Sequence, residues 1–142
     1  MTGLGLVFLD ANILFSAAIG GPSFLLLLDL AGRGAIQLVT SEACVVEART
    51  NLERKRPDAA PRLDALLVSV RIEASAPDDD LEWAATSIHP DDAHVLAATR
   101  TAGASVLVTG DTTHVGHLMG RRDLGIRVMT LRTLLVEGIG QE

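Results

Sequence analysis

Aromatic residues are almost missing from this chain: there is no Tyr, one Trp and three Phe, 3% of the sequence in all. The core must therefore be aliphatic, and binding that stacks successive bases on aromatic platforms is disfavoured. Cysteine is as scarce. Cys44 stands alone, so no intramolecular disulfide can form, which suits a reducing compartment. Positive charge is short too: twelve Lys and Arg face eighteen Asp and Glu for a net charge of −6, and Lys55 is the one lysine. That balance argues against gripping nucleic acid through the overall field, while leaving room for a local basic strip. Long apolar runs are also lacking. The first twenty residues carry no basic leader region and have Asp10 in their middle. The Leu25–Leu28 run is closed by Asp29 and preceded by Gly20-Gly21-Pro22, far short of the roughly 20 residues a membrane span needs. The expectation is a soluble, cytoplasmic protein with no membrane partner.

What is present is an aliphatic chain of 142 residues, 48% hydrophobic, long enough for a core and short enough for one domain, residues 1–142. No repeat, linker or low-complexity segment divides it. Apolar β-branched runs predict strands at 4–9, 36–40, 70–73, 106–109 and 126–129. Helical spacing predicts helices over 12–18, 23–33, 42–56, 58–68, 112–119 and 131–137. Ser41 is placed to cap the 42–56 helix, and Pro57 to end it. A further helix opens at His89-Pro90-Asp91-Asp92 and stops at Gly103, with Asp92, Val95, Leu96 and Thr99 on one face. The acidic stretch 76–80 reads as a solvated turn, with one or two helical turns following over 81–87. The Leu-rich 23–33 helix reads as core or as a groove for a dimer mate or partner. Alternation of strand and helix calls for an α/β fold, a three-layer sandwich with a mostly parallel central sheet.

Two of the apolar runs end in acid. Leu6-Val7-Phe8-Leu9 delivers Asp10, and Val106-Leu107-Val108-Thr109-Gly110 delivers Asp111. Parallel strands put both carboxylates at one edge of the sheet, where open α/β folds bind ligands. Glu47 lies beside the apolar stripe of its helix, and Asp92 shares the buried face of its own. Acids gathered in one pocket repel unless cations lie between them. Mg2+ or Mn2+ suits oxygen donors of this kind, and can activate a water and stabilise a leaving oxygen at a phosphodiester. Singly, each acid has a plainer reading: Asp10 or Asp111 as a helix cap, Glu47 as a solvated helix residue. Asp91 reads best as a cap. Cys44, His94 and His117 are left out of the metal set.

Phe8-Leu9-Asp10-Ala11-Asn12-Ile13-Leu14-Phe15-Ser16-Ala17 resembles the opening motif of PIN-domain nucleases. Thr40-Ser41-Glu42 leading to Val46-Glu47-Ala48-Arg49 is similar to the helix bearing that family's second acid. Pro90-Asp91-Asp92-Ala93-His94-Val95-Leu96-Ala97-Ala98 resembles the third-acid motif, and Leu107-Val108-Thr109-Gly110-Asp111 the fourth. The likeness runs in order from about residue 6 to 130. It implies a Mg2+- or Mn2+-dependent endoribonuclease, most like VapC-type toxins of bacterial type II toxin–antitoxin pairs. Asp10, Glu47, Asp92 and Asp111 would then be the catalytic metal ligands, with Asn12 and Thr109 orienting them. Thr112-Thr113-His114 occupies the place where some members carry a further acid. Arg49, His114, Arg121 and Arg122 are the candidate RNA contacts, and Arg54 to Arg56 read equally well as a solvated face. Implied partners are an RNA substrate, an antitoxin protein laid across the acid pocket and the Leu-rich hairpin, and a second copy of the chain.

Two other classes stand beside this one. A catalytically silent PIN-like binding module would keep the fold and lose the chemistry. A phosphoryl-transfer domain using strand-end aspartates would want a lysine near the phosphoryl group, and Lys55 sits in a charged helix end.

Overall fold

The computed structural model describes residues 5–20, 22–89, 93–110, 116–119, 121 and 123–140. Its strands are β1 (Gly5–Leu9), β2 (Ile36–Ser41), β3 (Val70–Glu73), β4 (Val106–Val108) and β5 (Arg127–Met129). Its helices are α1 (Ala11–Ile19), α2 (Pro22–Gly32), α3 (Glu42–Lys55), α4 (Ala60–Leu67), α5 (Asp78–Ala85), α6 (Ala93–Thr101) and α7 (Leu131–Gly140). Single 3-10 turns occur at Pro57–Ala59 and Gly116–Leu118.

The five strands form one parallel sheet in the order β3-β2-β1-β4-β5. β1 is central because Val7, Phe8 and Leu9 are apolar on both faces, and all three are fully buried. Phe8 is level with Val39 on one side and Leu107 on the other. The chain leaves β1 towards β2 and β3, then crosses back over the sheet to β4 and β5. Right-handed crossovers in opposite directions put their helices on opposite faces. α1, α3 and α4 pack together, while α5 packs on α6, which leans on β2 and β4. The result is the three-layer α/β sandwich expected, with its topological switch between β1 and β4.

Local chemistry accounts for the element ends. The Ser41 hydroxyl accepts from the Cys44 amide at 3.1 Å and caps α3, a contact worth about 1 kcal/mol. α6 ends where Gly103 adopts a φ of 74°, its amide bonded to the Arg100 carbonyl. One expectation is corrected in part: the acidic stretch leaves Asp78 and Asp79 exposed, as expected, but its aspartates are helical and not a turn. Asp78, Asp79 and Asp80 form the first turn of α5, where the positive end of the helix dipole favours them. Asp80 accepts from the Thr101 hydroxyl at 2.6 Å and pairs with Arg100, whose guanidinium lies 4.3 Å from the Trp83 ring centre. α2 serves the core through Leu27 and Leu30 while leaving Leu25 66% exposed. No single helix among the described residues is long and apolar enough to cross a membrane.

Candidate metal centre

The switch point fixes where a ligand can sit. β1 and β4 run side by side, with Leu9 level with Val108, and their chains diverge beyond those residues. The next residue of β1's chain is Asp10, whose amide bonds the Val108 carbonyl at 3.0 Å. Asp10 as a whole is only 8% exposed. Oδ1 accepts the Ala11 amide at 2.7 Å, so Asp10 is the cap of α1, as its plainer reading had it. Oδ2 accepts from the Thr109 hydroxyl at 2.8 Å and from the Asn12 amide nitrogen at 3.3 Å. The cap and the cluster at the sheet edge therefore use different oxygens of the same group.

Asn12 joins the two strand ends. Its Oδ1 accepts the Gly110 amide at 2.8 Å while Nδ2 faces Asp10 and, at 3.4 Å, Thr109. Thr109 is fully buried, and its own amide bonds Met129 in β5. On the other side, the Thr40 hydroxyl donates 2.7 Å to the Leu9 carbonyl. Three neighbouring strand ends are thus tied by side chains around Asp10.

Cys44 lies against this cluster. Burial pushes its thiol from 9.0 to about 11, the Asp10 charge adding to the shift and the Ser41 hydroxyl opposing it. Glu47 is one turn further along α3 and is exposed. Sequence spacing puts it beside the stripe that holds Cys44, and the structure places it at the solvent side of that stripe. Asp92 and Asp111 fall outside the described residues, as do His114 and Arg122. Among the described residues no three acidic, His or Cys side chains gather closely enough to hold an ion. The structure thus brings together Asp10, Asn12 and Thr109.

The two candidate RNA contacts that are described, Arg49 and Arg121, are engaged within the chain. Arg49 pairs with Asp64 of α4 at 2.7 Å. Arg121 pairs with Asp123 and holds its carboxyl below the usual carboxylate range. Such exposed pairs are worth little and exchange readily for another anion. Arg121 also lines a cavity of about 530 Å3 along edge strand β5, together with Met119, Arg127, Thr130 and Thr133. Sequence reasoning missed Arg127, whose outward position on β5 carries no signal of the cavity beside it. Lys55 lies over the Phe15 ring, 5.8 Å from its centre, in the last turn of α3.

The oxygen donor set at Asp10, Asn12 and Thr109 is hard, and the donors on the Asp10 carboxylate named above are neutral. That chemistry fits a divalent ion such as Mg2+ or Mn2+. A family model for the PIN domain matches residues 6–113. No curated protein matches. Among solved structures, PAE2754 from Pyrobaculum aerophilum has a TM-score of 0.66 at 21% identity, covering 97% of this chain and 98% of that one. Mycobacterium tuberculosis VapC20, described as a sarcin–ricin-loop-cleaving toxin, has a TM-score of 0.52 at 21% identity, covering 78% of this chain and 94% of that one. At such identity the likeness is one of fold.

Proposed function

The chain belongs to the PIN-domain family, and on that premise we propose that it is a Mg2+- or Mn2+-dependent endoribonuclease, acting in the cytoplasm as a single domain. PIN domains are generally nucleases that use divalent ions. The observation that carries the reading for this chain is the Asp10 carboxylate, buried at the switch point and held by Thr109 and Asn12. Asp10, Glu47, Asp92 and Asp111 are the residues that would hold the ion. When bound, it would lower the pKa of a water and stabilise charge on the scissile phosphate and leaving oxygen.

The chain's own residues do the rest. Thr109 and Asn12 fix the direction of Oδ2, so that little reorganisation accompanies ligation. The Gly110 amide, bonded to Asn12, fixes the outset of the segment that carries Asp111. Arg121 and Arg127, beside the β5 cavity, would exchange their carboxylate partners for RNA phosphates, with Arg49 on the α3 side. With four aromatic residues in the chain, recognition rests on phosphate and folded shape more than on base stacking. A toxin role with an antitoxin partner is the biological setting we favour, in keeping with the fold shared with VapC20.

The test is cleavage of a labelled total-RNA pool, with a sarcin–ricin stem–loop as a defined folded probe. The assay is run with Mg2+ or Mn2+, with EDTA, and with Asp10→Asn protein purified identically. Cutting that needs the ion and the carboxylate supports the reading. Equal cutting by both proteins would mark a contaminant, and ion binding without cutting would favour a silent binding module.

A further inference from the structure

The edge of the sheet that carries Asp10 has a second concavity, one strand over. A cavity of about 190 Å3 lies past the carboxyl ends of β2 and β3. Ser41, the last residue of β2, is level with Glu73 of β3, and Ser75 follows two residues later; both serines line the cavity. Ala43 contributes from the first turn of α3, Leu81 from α5, and His94 and Ala98 from one face of α6. β2 is fastened to the Asp10 strand at this end, since the Thr40 hydroxyl bonds the Leu9 carbonyl. Adjacent strands stand about 4.8 Å apart, so the cavity lies roughly 5–10 Å to the side of β1. Ala43 also shares a side of α3 with Glu47, one turn further on.

The lining decides what fits. Among the described residues it holds no arginine, lysine or carboxylate, so it matches neither a phosphate nor a cation. It offers two hydroxyls and an imidazole between small aliphatic walls. Its volume is below the roughly 300 Å3 at which pockets for whole ligands begin, so it suits one part of a larger molecule. A flat, uncharged ring with polar edges answers that description. The chain's own rings are used elsewhere: Phe8 is fully buried, while Phe15 and Trp83 lie under Lys55 and Arg100.

We propose that this cavity receives one unstacked nucleobase of the RNA, and that His94 contacts the base and sets a base preference beside the cut. Splayed-out bases of single-stranded RNA are read in this way, by a ring such as histidine and a few hydrogen bonds. The sugar and phosphate stay outside, on the Asp10 side. The role in cutting rests on the nuclease reading; the binding of a base does not.

Two variants test it. His94→Ala removes the ring, and Ala43→Leu fills the cavity from an exposed position that leaves the core alone. Adenosine, guanosine, cytidine and uridine, which need no ion, are titrated in EDTA by NMR. The His94 ring protons should shift with one or two of them, and Ala43→Leu should abolish the response. Fragment ends from the total-RNA pool cut in Mn2+ are then sequenced. Wild type should favour one base at a fixed position next to the cut. Both variants should use that base about five- to tenfold less readily and cut beside the others as before. Their Mn2+ dissociation constants should stay within about twofold of wild type, which separates a base contact from a disturbed ion site. An unchanged base preference in both variants would overturn the proposal. So would a loss spread evenly over all four bases, or the lack of any nucleoside response. If wild type cuts no RNA, the nuclease reading fails, and the nucleoside titration alone decides whether the cavity takes a base.

Discussion

The Thr109 hydroxyl donates a 2.8 Å hydrogen bond to Oδ2 of Asp10, joining the ends of two adjacent parallel strands 99 residues apart in sequence. It is buried, and it fixes the carboxylate oxygen at the ends of the two strands. Thr109→Val keeps the shape and removes the donor. The Mn2+ dissociation constant should rise about tenfold, the usual cost of losing a partner of a metal ligand. Thermal unfolding should report a loss of about 1–3 kcal/mol from the unsatisfied buried group. Thr109→Ser should restore both. An unaltered ion affinity in the valine variant would remove Thr109 from the site.

Asp10→Asn separates structure from chemistry in the other direction. The amide oxygen can still accept the Ala11 N–H, so the cap on α1 survives. The charge is gone. Cleavage should fall at least about a hundredfold, because several kcal/mol of ion-mediated stabilisation are forfeited. Circular dichroism should show an unchanged helix content.

Arg121→Ala and Arg127→Ala should raise KM for RNA by a few-fold with little change in kcat, and flatten its dependence on salt. A fall in kcat at unchanged KM would place these side chains in the chemistry instead of along the substrate path.

Cys44 supplies a pH signature. Its thiol titrates at about 11 in the folded chain against 9.0 ordinarily, so between those values the folded state binds more protons than the unfolded one. Stability from this group is complete below about pH 9 and is lost as pH rises towards 11, with a slope of at most about 1.4 kcal/mol per unit. Cys44→Ala should flatten that limb of a stability profile taken by denaturant unfolding. A thiol reagent at pH 8 should leave native Cys44 unmodified, since it is fully buried.

Trp83 gives the α5–α6 junction its own reporter, being the chain's one tryptophan. Arg100→Ala removes a cation from the ring face and a partner from Asp80. Emission should shift, and the melting temperature should fall by roughly 2–8 °C for a loss of about 1 kcal/mol.

The alternation of strands and helices was legible because buried parallel strands are continuous apolar runs, as Val7-Phe8-Leu9 and Val106-Leu107-Val108 are. The meeting of Asp10 with Thr109 follows from adjacent strands ending level. The start of α5 was not legible, since three consecutive aspartates look alike in a solvated turn and in a helix's first turn. The ion pair of Arg49 escaped for a different reason. A surface arginine's partner is set by three-dimensional neighbours such as Asp64, which periodicity does not encode. Glu47 shows the limit of a helical wheel: three positions from Cys44, it can border a buried stripe and still be exposed.

Asp10 divides its two oxygens between a helix start and a strand-end cluster, both closed by the protein's own groups. Strand, helix and neighbouring strand are fastened by those groups. Small zinc domains collapse when stripped, because the ion there is part of the folding free energy. Here a chelator should silence the molecule and leave its shape intact, and returning the ion should revive it without refolding.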